Sequence, residues 1–420
     1  MSTHVPTVSR APKGPTTTRV AAAFAVLAVC LTALAWFANT HWSRGEYSPN
    51  HGFGMPPFWR PWYQFDAGWY ELIATKGYVY VPNSQTTVAF FPGYPTAMRL
   101  LAPLVGGDAA TAGVVITLCC GLGGVLLFAR WCRDRLDPLA ATLAVGLLLV
   151  YPYSWFLVGA LYADALFLFA TIAAFALLER GHPVLAGIVG AVATATRPVA
   201  PAVVLALIIR VIEQRHALIQ LAPLDPCAAA SVGRFRRVLH AMGAPVGVRL
   251  SRLERADAGV LLSAAGFAAY VGYLTVRFGD PLIWASVQKY WNQPSGPVTL
   301  FKIHLAGLIV LKFAERWRYI LGCVMQGVLT CGALALVPRV VARFGWSYGV
   351  LVAVSMGMPF IGSKDFQGTG RYLIAAFPVF ALGGEWLAEQ SATRRRVVLA
   401  ASAALLLVWS SSYARGYYVA

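Results

Sequence analysis

Long uncharged runs separated by short clusters of arginine set the pattern of this chain. The first run, Val20 to Asn39, follows a polar stretch of residues 1–19 that carries Arg10, Lys13, Arg19 and three prolines. About 20 apolar residues cross ~30 Å of hydrocarbon, so the run predicts a spanning helix behind a basic cytoplasmic tail. A secretory signal is the rival reading, because Ala33-Leu34-Ala35 has the small-x-small form, but the length of the run favours an uncleaved anchor. Further spans are predicted near residues 108–129, 138–156, 162–178, 183–196, 198–212, 258–276, 318–337, 346–361, 372–390 and 397–413. The result is an all-α polytopic membrane protein of about eleven transmembrane helices, with residues 20–420 as a single multi-pass domain. Two apolar stretches are interrupted differently. Residues 88–105 contain Pro92, Pro95 and Arg99, and residues 300–317 mix Lys302, His304, Lys312, Glu315 and Arg316 with apolar residues at helical spacing. Both read as interfacial or re-entrant helices.

Charge orients these spans. With the N-terminus inside, Arg130, Arg133 and Arg135, then Arg180, then the stretch Arg210 to Arg255, then Arg339 and Arg343, and finally Arg394 to Arg396 all fall on the inner side, as the positive-inside rule expects. The basic, proline-punctuated loop 213–257 is then cytoplasmic, and residues 40–107, 277–317 and 362–371 are external.

Composition agrees. Apolar residues make up 58% and charged residues 12% of the 420, against roughly 45–50% and about 25% in soluble domains. Lys and Arg total 34 against 17 Asp and Glu, but they lie between apolar runs and form no polar face, so nucleic acid is not the expected partner. A soluble enzyme, a disulfide scaffold and a disordered chain are excluded. The seven cysteines show no metal-ligand spacing, and no phosphate loop, dinucleotide fingerprint, nucleophile elbow or zinc pattern is present. Abundant Ala, Val, Gly and Arg point to a GC-rich bacterial genome, and hence to a plasma membrane.

The densest chemistry follows the first span, in the segment Phe58 to Tyr78. Asp66 to Lys76 reads as a short helix with Asp66 at the N-cap, Tyr70 and Ile73 on its side, Lys76 in the last turn and Gly77 as the stop. Trp62, Phe65, Trp69 and Leu72 would lie along an interfacial face. The plain reading is that Asp66 caps the helix and the aromatics form a membrane belt; the functional one is that Asp66 is a reactive carboxylate. Asp164 and Arg197 lie at predicted membrane edges, where charges face a cavity or a partner, and the two could equally form a structural ion pair. Lys364 and Arg371 precede the tenth span and suit lipid phosphate or a solvated loop. In the loop from Arg277, turn chemistry accounts for Gly279-Asp280-Pro281, while Lys289 with Tyr290 and Trp291 suits a sugar or a phosphate.

Phe65-Asp66-Ala67-Gly68-Trp69-Tyr70, Ile73-Ala74, Gly77-Tyr78 and Phe90-Phe91-Pro92-Gly93-Tyr94-Pro95 resemble, in order and spacing, the first external loop of the PIG-V-like mannosyltransferases, members of the GT-C membrane glycosyltransferases. That loop typically carries Trp-Asp-x-x-Trp-Tyr, Ile-Ala, Gly-Tyr and Phe-Phe-Pro-x-Tyr-Pro. Tyr162-Ala163-Asp164-Ala165-Leu166-Phe167 is similar to the family's Ser-Glu-Ser-Leu-Phe element, Ala195 to Pro198 to its Thr-Arg-Pro turn, and Gly370-Arg371-Tyr372-Leu373 with Phe377-Pro378 to its late Arg-Tyr element. The likeness spans about residues 58–385. It departs at Phe65, where the family has Trp, and at Asp164, one methylene shorter than the family's Glu.

The resemblance implies a GT-C-like fold and transfer of mannose from a polyprenyl phosphate donor to a lipid or glycan hydroxyl on the external face, with inversion. Asp66 would be the general base, Arg371, Arg197 or Lys364 would meet the phosphate, and Trp69 and Tyr70, with Asp164, Lys289 and Tyr290, would contact substrate. No cofactor is implied; a divalent cation shared by Asp66 and Asp164 stays open, although the resemblance favours none. The competing function is a flippase or transporter of lipid or polyprenol-linked glycan, and a noncatalytic assembly subunit is the third reading.

Overall fold

The computed structural model describes residues 14–45, 54–220, 245–291, 293 and 296–419. Arg10 and Lys13 of the basic tail, Cys227 and most of the loop 213–257 lie outside the described residues.

Each of the eleven predicted spans falls on a helix. Five are long and apolar enough to cross a membrane: α1 (Thr17–His41), α4 (Ala109–Arg133), Arg255–Phe278, Phe313–Phe344 and Ala392–Ala414. The other six have between 11 and 17 residues: α5 (Pro138–Leu149), α7 (Asp164–Glu179), α8 (Pro183–Thr194), α9 (Ala200–Gln214), Trp346–Gly362 and Pro378–Ala388. The predicted span 138–156 therefore stops at Leu149. From Val150 to Ala163 the chain holds only the four-residue turn Trp155–Val158, yet almost every residue is buried. Its apolar composition serves burial in protein, where irregular backbone at membrane depth is tolerated. Tyr151 donates to the Gly370 carbonyl at 2.7 Å and Ser154 to Leu148 at 2.5 Å.

One departure from an all-helical chain is a two-stranded antiparallel ladder, β1 (Leu218–Gln220) with β2 (Pro245–Val248), directly after α9. Beyond it, the basic loop is tied back at Arg215, whose guanidinium meets Glu254 at 2.5 Å and Asp257 at 3.0 Å.

The two interrupted stretches are short helices, as expected. Residues 87–105 form a 3-10 turn, the helix α3 (Gly93–Leu101) and a second 3-10 turn. Tyr94 and Met98 of α3 are buried while Leu100 and Leu104 are largely exposed. Residues 303–311 form a separate helix ahead of Phe313–Phe344, with Val310 and Leu311 exposed.

Candidate functional site

The segment after α1 builds the site. Residues Arg60–Trp62 make a 3-10 turn, and the chain then reverses at Phe65, whose φ of +52° is uncommon for a bulky residue. Its ring is held against Tyr413 at 5.6 Å and edge-on to Tyr418 at 4.6 Å. The helix α2 (Ala67–Lys76) follows and ends at Gly77, with φ +85°. Asp66 occupies the N-cap, as its position predicts, but its side chain makes no capping hydrogen bond. Its backbone carbonyl starts the helix by accepting from Trp69 and Tyr70, and its own N–H donates to the Tyr162 hydroxyl at 3.2 Å. The carboxylate is thereby left to face inward. At the other end of α2, Arg99 of α3 donates to the carbonyls of Ala74 (2.5 Å) and Ile73 (3.0 Å), completing the helix terminus.

Arg371 meets Asp66 from the opposite end of the chain. Its Nη1 lies 3.4 Å from Asp66 Oδ2, its guanidinium lies 4.8 Å from the Tyr162 ring centre, and its buried Nε has no hydrogen-bond partner. The backbone that presents it is clamped at Gly370, whose N–H donates to Gln326 Oε1 at 3.0 Å and whose carbonyl accepts from Tyr151. A Cβ at Gly370 would come within 2.5 Å of the Tyr153 ring, so only glycine fits.

Arg197 and Asp164 form a second, buried pair at 2.5 Å. The Arg197 guanidinium also lies 3.9 Å over the Tyr372 ring, next in sequence to Arg371. The turn before Arg197 is fixed by the start of α3, where the Gly93 N–H donates to the Ala195 carbonyl at 2.6 Å. Four segments distant in sequence thus come together: 65–70, 162–164, 195–198 and 370–372.

The first and the last two of these line a cavity of about 790 Å³. Its lining combines Asp66, Tyr70, Arg197 and Arg371 with the aromatics Phe90, Trp284 and Trp291 and the apolar Leu300, Phe301, Met358, Pro359 and Ile361. Leu300, Phe301 and Ile361 continue to the exposed surface. Burial pushes the Asp66 carboxyl above its ordinary value of 3.8, with the neighbouring Arg371 acting in the opposite direction. The arrangement therefore offers a buried proton acceptor beside two guanidinium groups, in a chamber that also has apolar walls.

Other expected residues are placed differently. Asp164 is not among the lining residues; it pairs with Arg197, while Asp66 faces Arg371. Among the described residues no group of three or more His, Cys, Asp or Glu comes together. Trp69 backs the wall, stacked on Phe90 at 6.0 Å and edge-on to Trp291 at 5.0 Å. Trp62, expected on an interfacial face, is buried and donates to Thr32. Lys289 is exposed, over the Tyr290 ring at 4.9 Å, and the Tyr290 hydroxyl donates to Asn83 at 2.6 Å; neither lines the cavity. Residues 287–291 form a 3-10 helix, in which positions three apart share a face, so Gln288 and Trp291 turn inward instead. Lys364 lies one residue beyond the lining residue Ser363, its N–H donating to Gln293 Oε1 at 3.1 Å. The sequence pattern does not single out Tyr162, Tyr372, Gln288 or Tyr418, although the first two stand inside its matched motifs.

No protein-family model matches the chain. It shows distant similarity to GPI alpha-1,6-mannosyltransferase 2 of Cricetulus griseus and of Mus musculus, in each case 33% identical over 144 residues, covering 32% of this chain and 28% of the relative. The matched part thus spans under a third of these curated relatives. Among solved structures it is similar to ArnT from Cupriavidus metallidurans bound to undecaprenyl phosphate, at 14% identity and a TM-score of 0.48 over 90% of this chain and 63% of that one. The apo oligosaccharyltransferase of Archaeoglobus fulgidus gives 14% identity and a TM-score of 0.49 over 96% and 56% of the two chains.

Proposed function

We propose that this protein is a membrane glycosyltransferase of the GT-C type, which moves a sugar from a polyprenyl phosphate to a lipid or glycan hydroxyl. Mannose is the donor sugar favoured by the similarity to the GPI mannosyltransferases. The observation that carries the reading is the single chamber in which Asp66, Arg371 and Arg197 meet beside an apolar wall that reaches the surface. A polyprenyl phosphate sugar has the same division, a charged head on an oily chain.

The chemistry needs few groups. The acceptor hydroxyl gives its proton to the Asp66 carboxylate as its oxygen attacks C1 of the sugar, and the bond from C1 to the phosphate oxygen breaks with inversion. The electron pair leaves on polyprenyl phosphate, a weakly basic anion that needs no acid to protonate it, unlike the leaving group of a glycosidase with its two carboxylates. General-base assistance is worth roughly 10²–10⁴-fold. Arg371, with a free Nε, and Arg197 meet the charge on the departing phosphate, and guanidinium forks suit phosphate oxygens. Tyr70, Trp284 and Trp291 frame the sugar. Asp164 holds Arg197 in place. Eleven crossings with the N-terminus inside would put this chamber on the external face, consistent with the inward clusters of arginine.

Purified protein in detergent, supplied with polyprenyl-phosphate-linked mannose, glucose or arabinose and a membrane lipid extract as acceptor, tests the reading by the labelled lipid it makes. Product from the mannose donor is expected. Product from another donor alone would keep the reaction and replace the sugar. No product from any donor, together with lipid transport in sealed vesicles, would replace the transferase by a flippase.

A further inference from the structure

A second cavity lies at the far end of α7, about 22 Å from the Asp164 end by the rise of 1.5 Å per residue. Its volume is about 450 Å³, and it lies between the last turns of α4 and α7. Helical spacing gives it two kinds of wall. Along α4, Leu127 is followed one turn on by Arg130 and Trp131, with Arg135 just past its end; along α7, Ile172 and Ala176 are followed by Glu179 and, at the C-cap, Arg180. The deeper wall is therefore apolar and the mouth is charged.

The charge is mostly positive. Glu179 is consumed: its Oε1 accepts from Arg135 at 2.5 Å, from Arg210 at 2.7 Å and from the Tyr348 hydroxyl at 2.8 Å. Arg135 is further held flat over Trp131 at 4.6 Å, and the buried Nε of Arg210 has no partner. Arg130 and Arg180 are exposed at the mouth, and among the described residues neither has an acid within ion-pair distance. The remaining acid, Asp134, is exposed on the rim. Guanidinium groups at the mouth of an apolar slot match the phosphate of a membrane lipid above its acyl chains.

We propose that this cavity binds an anionic phospholipid, with the phosphate at Arg130, Arg135 and Arg180 and the first part of a chain along Leu127, Ile172 and Ala176. The site is separate from the Asp66 chamber and does not depend on the reaction assigned there.

Lipid-stripped, full-length protein in neutral detergent is titrated with dioleoyl phosphatidylglycerol, dioleoyl phosphatidylcholine and inorganic phosphate, and bound species are counted by native mass spectrometry. Phosphatidylglycerol is expected to bind about ten-fold or more tightly than phosphatidylcholine, and the double variant Arg130→Gln/Arg180→Gln to lose about 30-fold of that affinity. Both positions are exposed and unpaired, so the variant is expected to elute as folded protein. Ala176→Phe, which fills the apolar slot and keeps the arginines, is expected to weaken the lipid and leave inorganic phosphate unaffected. Equal binding of phosphatidylglycerol by wild type and double variant, or no preference over phosphatidylcholine, overturns the proposal. Phosphate binding that needs the two arginines, without any lipid preference, assigns them to a free anion and also overturns it.

Discussion

Asp66 is an N-cap residue that does not cap. Its position was legible from the helix signal, Asp before an apolar-periodic run that stops at Gly77, but that same signal favoured the plain reading. What decides between the readings is the turn at Phe65, which no periodicity reveals: it aims the carboxylate away from the N–H groups of α2 and towards Arg371, 305 residues further along the chain. Because burial raises the Asp66 carboxyl and a base must be ionised to act, transfer is predicted to fall on acidification through a midpoint above the ordinary value of 3.8, and the acid limb of a pH–rate profile measures it. Removing the opposing cation in Arg371→Gln is predicted to move that limb of the residual activity further up; an unchanged limb would separate the titrating group from Asp66. The Asp164–Arg197 pair was legible only as one of two alternatives. With both partners almost wholly buried, Asp164→Asn or Arg197→Gln alone should cost about 3–5 kcal/mol by stranding a charge, while the double variant should cost no more than either. Losses that simply add in a denaturation cycle would contradict a coupled pair.

Hydropathy placed each of its eleven spans on a helix, yet it clearly overstated two of them, 138–156 and 372–390, whose helices are Pro138–Leu149 and Pro378–Ala388. The reason is visible between α5 and α7, where Tyr151, Tyr153, Trp155 and their neighbours are apolar because they pack inside the protein around Gly370, not because they continue a span. A window average cannot separate burial in lipid from burial in protein. Helix contacts were also invisible to it. The helix Arg255–Phe278 packs against α8 through small residues on both sides: a Cβ at Gly187 would lie 2.0 Å from the Gly259 carbonyl oxygen, and one at Gly266 would lie 1.9 Å from that of Ala191. Gly266→Ala is therefore predicted to lower stability by about 1–3 kcal/mol. Gly272→Ala, in the same helix with no neighbour within 4 Å, is predicted to be neutral or slightly stabilising through helix propensity. Equal thermal shifts for the two variants would argue against this packing.

Over the whole molecule, the two cavities occupy opposite ends of α7, one built from acid and arginine around Asp66 and the other ringed by Arg130, Arg135 and Arg180. The sequence separated these ends through the side on which the arginine clusters fall, and through the acidic and aromatic residues gathered between the first two spans. It did not show which members of a motif turn inward, as Lys289 and Tyr290 illustrate beside Gln288 and Trp291. Sidedness makes its own prediction: a cysteine at Thr75, exposed near the end of α2, should react with an impermeant maleimide from outside intact cells, and one at Arg394 only after permeabilisation. Reaction of both from the same side would break the placement of the chamber on the external face.

As proposed above, Asp66 would take the proton of the acceptor hydroxyl. Transfer of radiolabelled mannose from polyprenyl phosphomannose, by Asp66→Asn and wild-type protein at matched amounts of folded material in leaky membranes, tests it most directly. A loss of about 10²-fold or more is expected, with the fold intact. Equal labelling by the two proteins would contradict it.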